Sequence, residues 1–124
     1  MKEFLLVGAG GFVGANARYL VNSLVARHLS ASLPWGTLCV NVTGSFVLGA
    51  FLAWTTERVL TDPAYRFVVA IGFCGAYTTF SSCTFETIRL WEQGHLWTAA
   101  ANLLLNNVFS LATTLAGMAF ARWV

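Results

Sequence analysis

Four long apolar runs, separated by short polar stretches, set the pattern of this chain. The first extends from Phe4 to Val25 and is interrupted by a single charge, Arg18. The second, Gly36 to Thr56, the third, Phe67 to Phe85, and the fourth, Leu96 to Ala121, carry no charge. Roughly 20 apolar residues cross the hydrocarbon core as a helix, so the pattern predicts four transmembrane helices. The polar stretches agree with it. Residues 28–34 are turn-rich and end on Pro34, a residue favoured at helix starts. Glu57-Arg58 and Asp62-Pro63 mark a second connection, and Trp91 to His95 a third. Trp35, Trp54, Trp91, Trp97 and Trp123 fall near the span ends, where an interfacial aromatic belt belongs.

The third run is the unusual one. From Gly72 to Phe85 it reads GFCGAYTTFSSCTF, and Thr78, Thr79, Ser81, Ser82 and Thr84 crowd hydroxyls into an apolar segment. Irregular backbone survives at membrane depth only where protein buries it or a wet cavity adjoins it. Such segments build ion and substrate sites in transporters. With Gly72 and Gly75 alongside, the third helix is expected to be broken, in a chain that moves something small and polar.

Composition fixes the class as all-α integral membrane protein. Of 124 residues, 57% are hydrophobic and 10% charged, against about 25% charged in soluble domains, and the mean hydropathy is +0.68. Residues 1–124 form one domain. The net charge of +2 is too small to argue for nucleic acid. Cys39, Cys74 and Cys83 show no CxxC or Cys/His spacing, which leaves no thiolate metal site or disulfide framework to read. No set of groups with catalytic spacing is visible, so an enzyme is not expected. Lys2 and its apolar run are not read as a signal peptide, because the pattern continues through Arg18 and Tyr19.

An even number of spans puts Lys2, Arg58, Arg66 and Arg122 on one side and Arg18, Arg27 and Arg89 nearer the other. Orientation follows Lys/Arg asymmetry, and this near-balance predicts insertion both ways round and antiparallel pairing. Four short helices enclose too little volume for a walled pore in one copy. Gly10 and Gly14, with Gly8, Gly11 and Ala15, and then Gly44, Ser45 and Gly49, allow close backbone approach.

Candidate chemistry is polar and mostly uncharged. Asn102, Asn106, Ser110 and Thr113 are spaced four, four and three, one helical stripe about 16 Å long, bordered by Asn107 and Thr114. Such a stripe serves either as glue between helices or as a track for a permeating ion. Asn41, near Thr37 and Thr43, offers two N–H donors that can face an anion. Phe80 and Phe85 flank the hydroxyls, and aromatic rings have electropositive edges. Arg18 either snorkels to the interface or draws anions into a vestibule. Glu86 closes the third run.

Three stretches together carry a family resemblance: GGFVGANARY from Gly10, PWGTLCVNVTGSF from Pro34, and GFCGAYTTFS from Gly72. In order and over nearly the whole chain, they resemble the Fluc (CrcB) fluoride channel family. The resemblance implies a passive fluoride-selective channel in the plasma (inner) membrane of a microbe. It implies a dual-topology antiparallel homodimer with two pores, and a structural central Na⁺ on the backbone carbonyls of Gly75 and Thr78. The fluoride path it implies comprises Asn41, Phe80, Ser81, Cys83, Asn106, Ser110 and Thr114, with Arg18, Thr37 and Glu86 in the vestibule. One position departs: the family pattern TTFS-x-F places a second phenylalanine where this chain has Cys83. Phe85 is no easy substitute, since two residues turn a helical side chain by about 200°. Weakened fluoride binding and conduction are the expectation. The rival classes are a small multidrug-type proton-coupled exporter and a non-transporting accessory membrane subunit. The exporter wants a carboxylate deep in the first span, where this chain has only Glu3 at the edge.

Overall fold

The computed structural model describes residues 1–30, 32–57 and 62–124; Arg58, counted above in a connection and in the charge balance, lies outside them. Helix α1 spans Lys2–His28 and α2 spans Trp35–Glu57. A π-helix, Arg66–Cys74, runs into the short α3, Gly75–Tyr77. Helix α4 spans Phe80–Glu92 and α5 spans Leu96–Trp123. Together they make four segments long and apolar enough to cross a membrane, Lys2–His28, Trp35–Thr56, Arg66–Glu92 and Leu96–Trp123. Among the described residues there is no strand.

The distribution of polarity is that of a protein solvated by lipid. Buried positions include Thr37, Asn41, Thr55, Thr79, Asn102 and Asn106, while Phe4, Phe12, Trp97, Leu115 and Trp123 are exposed. Helices gain little from hiding hydrocarbon from hydrocarbon, so their contacts select small residues and paired polar groups. Glycines show this directly. A Cβ on Gly10 or Gly14 would strike backbone atoms of Val68 or Phe73, which fixes α1 against the π-helix. A Cβ on Gly49 would strike the Thr114 carbonyl, and one on Gly117 the Phe46 carbonyl, which fixes α2 against α5. Asn41 bonds Asn106, and Gly49, two turns further on, meets Thr114, so positions rise together along the two helices and α2 and α5 run parallel.

The third span is broken as expected, but at its threonines. Thr78 (φ −83°, ψ 159°) and Thr79 (φ −154°, ψ 112°) are extended. Gly72 lies inside the π-helix, close to the Val7 carbonyl and the Gly10 Cα; its smallness serves packing. The Thr79 hydroxyl accepts the Ser82 N–H at 3.1 Å and so caps α4, an N-cap that satisfies one orphan donor. The span also overruns its expected end at Phe85. Glu86 finds a partner inside the bundle, and α4 stops only where Gly94 adopts φ 81°. There the N–H groups of Gly94 and His95 donate to Trp91 and Leu90 carbonyls at 2.8 and 2.9 Å, the paired bonds of a Schellman cap.

Gly117→Val places two methyl groups against the Phe46 backbone. We expect a loss of about 3 kcal/mol, the upper range for overpacking, and aggregation on size exclusion in detergent. Gly8→Ala, which meets nothing within 4 Å, serves as the silent control.

Candidate functional site

Breaking a helix at membrane depth frees backbone groups that must be paired again. Asn41, nearly two turns into α2, does this for Thr79. Its Oδ1 accepts the Thr79 N–H at 2.8 Å, and its Nδ2 donates to the Thr79 carbonyl at 3.1 Å. An asparagine carries a donor and an acceptor side by side, so it docks on a peptide unit as a neighbouring strand would.

The second Asn41 N–H donates to Asn106 Oδ1 at 2.8 Å. Asn106 Nδ2 in turn donates to the Asn102 carbonyl at 2.9 Å and to Asn102 Oδ1 at 3.1 Å. Asn102 Nδ2 reaches α4, donating to Thr87 Oγ1 at 2.9 Å and the Cys83 carbonyl at 3.3 Å. Three amides thus tie α2, α4 and α5 together through the break. The expectation that Asn41 turns its N–H groups to an anion is corrected, because both donate within the protein.

Beside this ladder lies a cavity of about 200 Å³, lined among others by Asn41, Phe80, Cys83, Asn106 and Ser110. Those are five of the seven residues anticipated for an ion path, brought from three helices to one space. Two stand apart from it. Ser81 is exposed, 3.2 Å from Thr79 Oγ1. Thr114 donates back to the Ser110 carbonyl at 2.8 Å and lines a different groove with Met118 and Arg122. Ser45, Thr79 and Asn107 line the cavity without having been anticipated as path residues. For Ser45 a signal existed: it sits four residues after Asn41, hence on the same helix face.

The stripe on α5 divides between its two readings. Asn102 and Asn106 are buried glue, and Thr113 adds to it by donating to the Val42 carbonyl at 3.0 Å. Ser110 faces the cavity. Phe85 is 65% exposed, with the Arg89 guanidinium 6.0 Å from its ring centroid, and it does not replace a ring at position 83. Cys83 itself is buried, with its carbonyl held by Asn102.

The remaining anticipated residues form two groups. Thr37 Oγ1 donates to Glu86 Oε1 at 2.7 Å, while Glu86 Oε2 is buried with no partner among the described residues. Arg18 is elsewhere: its guanidinium turns in to the break, with Nη1 3.5 Å from the Thr78 carbonyl. Gly75 is exposed. The amide that would close the next helical turn onto its carbonyl, Thr79 N–H, is turned to Asn41 instead. The Gly75 carbonyl therefore lacks that helical bond, while the Thr78 carbonyl faces the Arg18 guanidinium.

The CrcB family profile (CrcB-like protein, Camphor Resistance) matches residues 5–118. The chain belongs to the CrcB family. Among CrcB relatives, a protein from Koribacter versatilis named "Fluoride-specific ion channel FluC" is 51% identical over 98% of this chain and 97% of its own length. Proteins of the same name from a Sulfurihydrogenibium species and from Rhodospirillum rubrum are 42% and 44% identical, over 98% and 87% of this chain and 98% and 85% of their own lengths. With four membrane-crossing segments, this CrcB chain is a multi-pass membrane protein.

Asn41→Leu removes every bond to Thr79 and strands both of its backbone groups. Each buried unsatisfied group costs about 1–3 kcal/mol, so we expect this CrcB protein to lose most of its folded yield and a large part of its melting temperature in detergent. Asn41→Gln, which keeps the amide on a longer stem, should fall between Leu and the unmodified chain.

Proposed function

We propose that this CrcB-family chain is a passive, fluoride-selective channel that lets fluoride leave a microbial cell across its plasma (inner) membrane. The observation that carries the reading is its near-full-length similarity to proteins named fluoride-specific ion channels, in a chain whose cavity at the broken span gathers the anticipated path residues.

The cavity chemistry suits a small hard anion. Its wall offers hydroxyls, amides and the Phe80 ring, and no carboxylate or basic side chain. A weakly attractive wall lets an ion both enter and leave, which conduction requires. Nothing in that wall is suited to carry a proton in exchange, which favours passive flow over proton-coupled export. Phe80 is 69% exposed, leaving its ring edge available to meet an anion.

We read residues 1–124 as one channel domain that works as an antiparallel dual-topology homodimer with two pores. Support comes from the near-balance of basic residues and from the exposed Phe80 and Gly75 beside the break, which a second copy can approach. The Gly75 and Thr78 carbonyls of two such copies would hold a central Na⁺, four neutral oxygens being better suited to a monovalent ion than to a hard divalent one. When bound, that ion supplies positive charge that offsets the desolvation of an anion nearby. Arg18, at the Thr78 carbonyl, adds fixed positive charge at the same place. Thr37 and Glu86 form the polar mouth.

Three measurements test the reading. Purified protein in liposomes should release fluoride down its gradient and retain chloride, with no proton gradient needed; fluoride flux that requires one, or export of a lipophilic cation, returns the exporter reading. A tag at the C-terminus should be labelled on both faces of native membranes, and a single orientation overturns the dual topology. Cys83→Phe restores the ring edge that the thiol, a weak donor, does not replace; we expect faster fluoride flux than in the unmodified chain, and equal rates would remove position 83 from the path.

A further inference from the structure

The donors around the cavity can be accounted for one by one. Asn41 has committed both N–H groups, to Thr79 and Asn106. Asn106 donates to Asn102. The Thr78 hydroxyl donates to the Cys74 carbonyl at 2.9 Å and the Thr79 hydroxyl to Ser82 Oγ at 3.0 Å. Asn107, an exposed residue, holds its amide to the Leu103 carbonyl at 2.7 Å. Apart from the second Asn107 N–H and the weakly donating Cys83 thiol, two lining hydroxyls remain, Ser45 on α2 and Ser110 on α5. Neither hydroxyl makes a hydrogen bond with any described residue.

Their positions are related. Ser45 follows Asn41 by four residues and Ser110 follows Asn106 by four, on helices that run parallel. The two serines therefore stand one turn, about 5.4 Å, along from the bonded Asn41–Asn106 pair. They form the next rung of the same ladder, left open. The separation of the two helices there is set by glycine. Gly49 lies against the Thr114 carbonyl and Gly117 against the Phe46 carbonyl, so the rung is held at a close, fixed spacing.

We infer that Ser45 is a specificity-determining residue of the channel, its hydroxyl pairing with that of Ser110 to receive a partly dehydrated fluoride between α2 and α5. The inference rests on the fluoride reading above. A hydroxyl is a short rotatable donor with no fixed charge, so two of them replace part of the hydration of a small anion without trapping it. Close fixed spacing favours fluoride over the larger chloride. The ladder amides hold the wall in place, and the serines meet the ion.

The test is fluoride and chloride efflux from liposomes holding the full-length chain, together with its melting temperature and size-exclusion profile. Ser45→Ala removes no bond within the protein, so melting and assembly should be unchanged while fluoride flux falls about tenfold, the loss of one hydrogen bond to a charged group. Ser45→Thr keeps the hydroxyl and should recover most of the flux. Combining Ser45→Ala with Ser110→Ala should cost less than the product of the single effects, because either change opens the same pair. A Ser45→Ala channel that conducts like the unmodified chain overturns the inference. So does a lower melting temperature with flux per folded channel intact, which would mark Ser45 as a packing residue. If the alanine form does not assemble, Ser45→Cys decides on the same terms, having similar shape and a weak donor: reduced flux supports the role and full flux removes it. Absence of fluoride flux in the unmodified chain would instead defeat the channel reading itself.

Discussion

One side-chain amide bound to one peptide group makes the rest of this structure possible. Thr78 and Thr79 leave the helix in the middle of a membrane-crossing segment, where water cannot pair what they expose. Asn41 pairs both backbone groups of Thr79 at 2.8 and 3.1 Å, and it holds α2 beside the break in doing so. Without that contact the break would be a defect in a hydrophobic span. With it, the same break becomes a place where carbonyls, hydroxyls and a cavity coexist at fixed positions.

The cost of holding polar groups inside the bundle is met by connecting them. Asn41, Asn106 and Asn102 each donate to the next, and the chain of bonds ends on Thr87 and the Cys83 carbonyl of α4. Around this polar spine the helices close by glycine contacts rather than by interlocking large side chains, and the large side chains face outward. The arrangement inverts a soluble core, where apolar bulk lies inside and amides lie at the surface. It follows from the solvent: lipid rewards exposed leucine and phenylalanine and penalises a solitary amide.

Much of this was legible in the sequence because the membrane enforces simple rules. Uncharged length gave the four spans, tryptophan marked their ends, and the Thr/Ser cluster marked the break. The location of the break within that cluster was less clear. Gly72 and Gly75 looked like the weak points, yet Gly72 is consumed by the contact with α1. Propensity alone does not say whether a glycine bends a helix or admits a neighbour; that depends on Gly10 and Gly14, sixty residues away in the chain. Asn41 was singled out for its two free donors, and both are engaged within the bundle, since periodicity reveals which residues share a face and not which of their donors are already taken. Ser81 and Thr114 stand outside the cavity for a related reason: Ser81 associates with the N-cap at Thr79, and Thr114 bonds back to its own helix. The overrun of the third span past Phe85 was hidden because Glu86 closes the uncharged run, and its partner Thr37 comes from another helix.

The amide ladder also has a consequence for how the wall responds to its surroundings. Asparagine side chains neither gain nor lose a proton under any condition a cell meets, and the order of donation here is imposed from one end, because the Thr79 N–H can only give. The wall built on that sequence keeps one electrical character along its length. A cytoplasm and an exterior of different acidity would therefore present the same lining to an ion from either direction. A protein that met the two compartments from opposite ends in different copies would have no chemically preferred face.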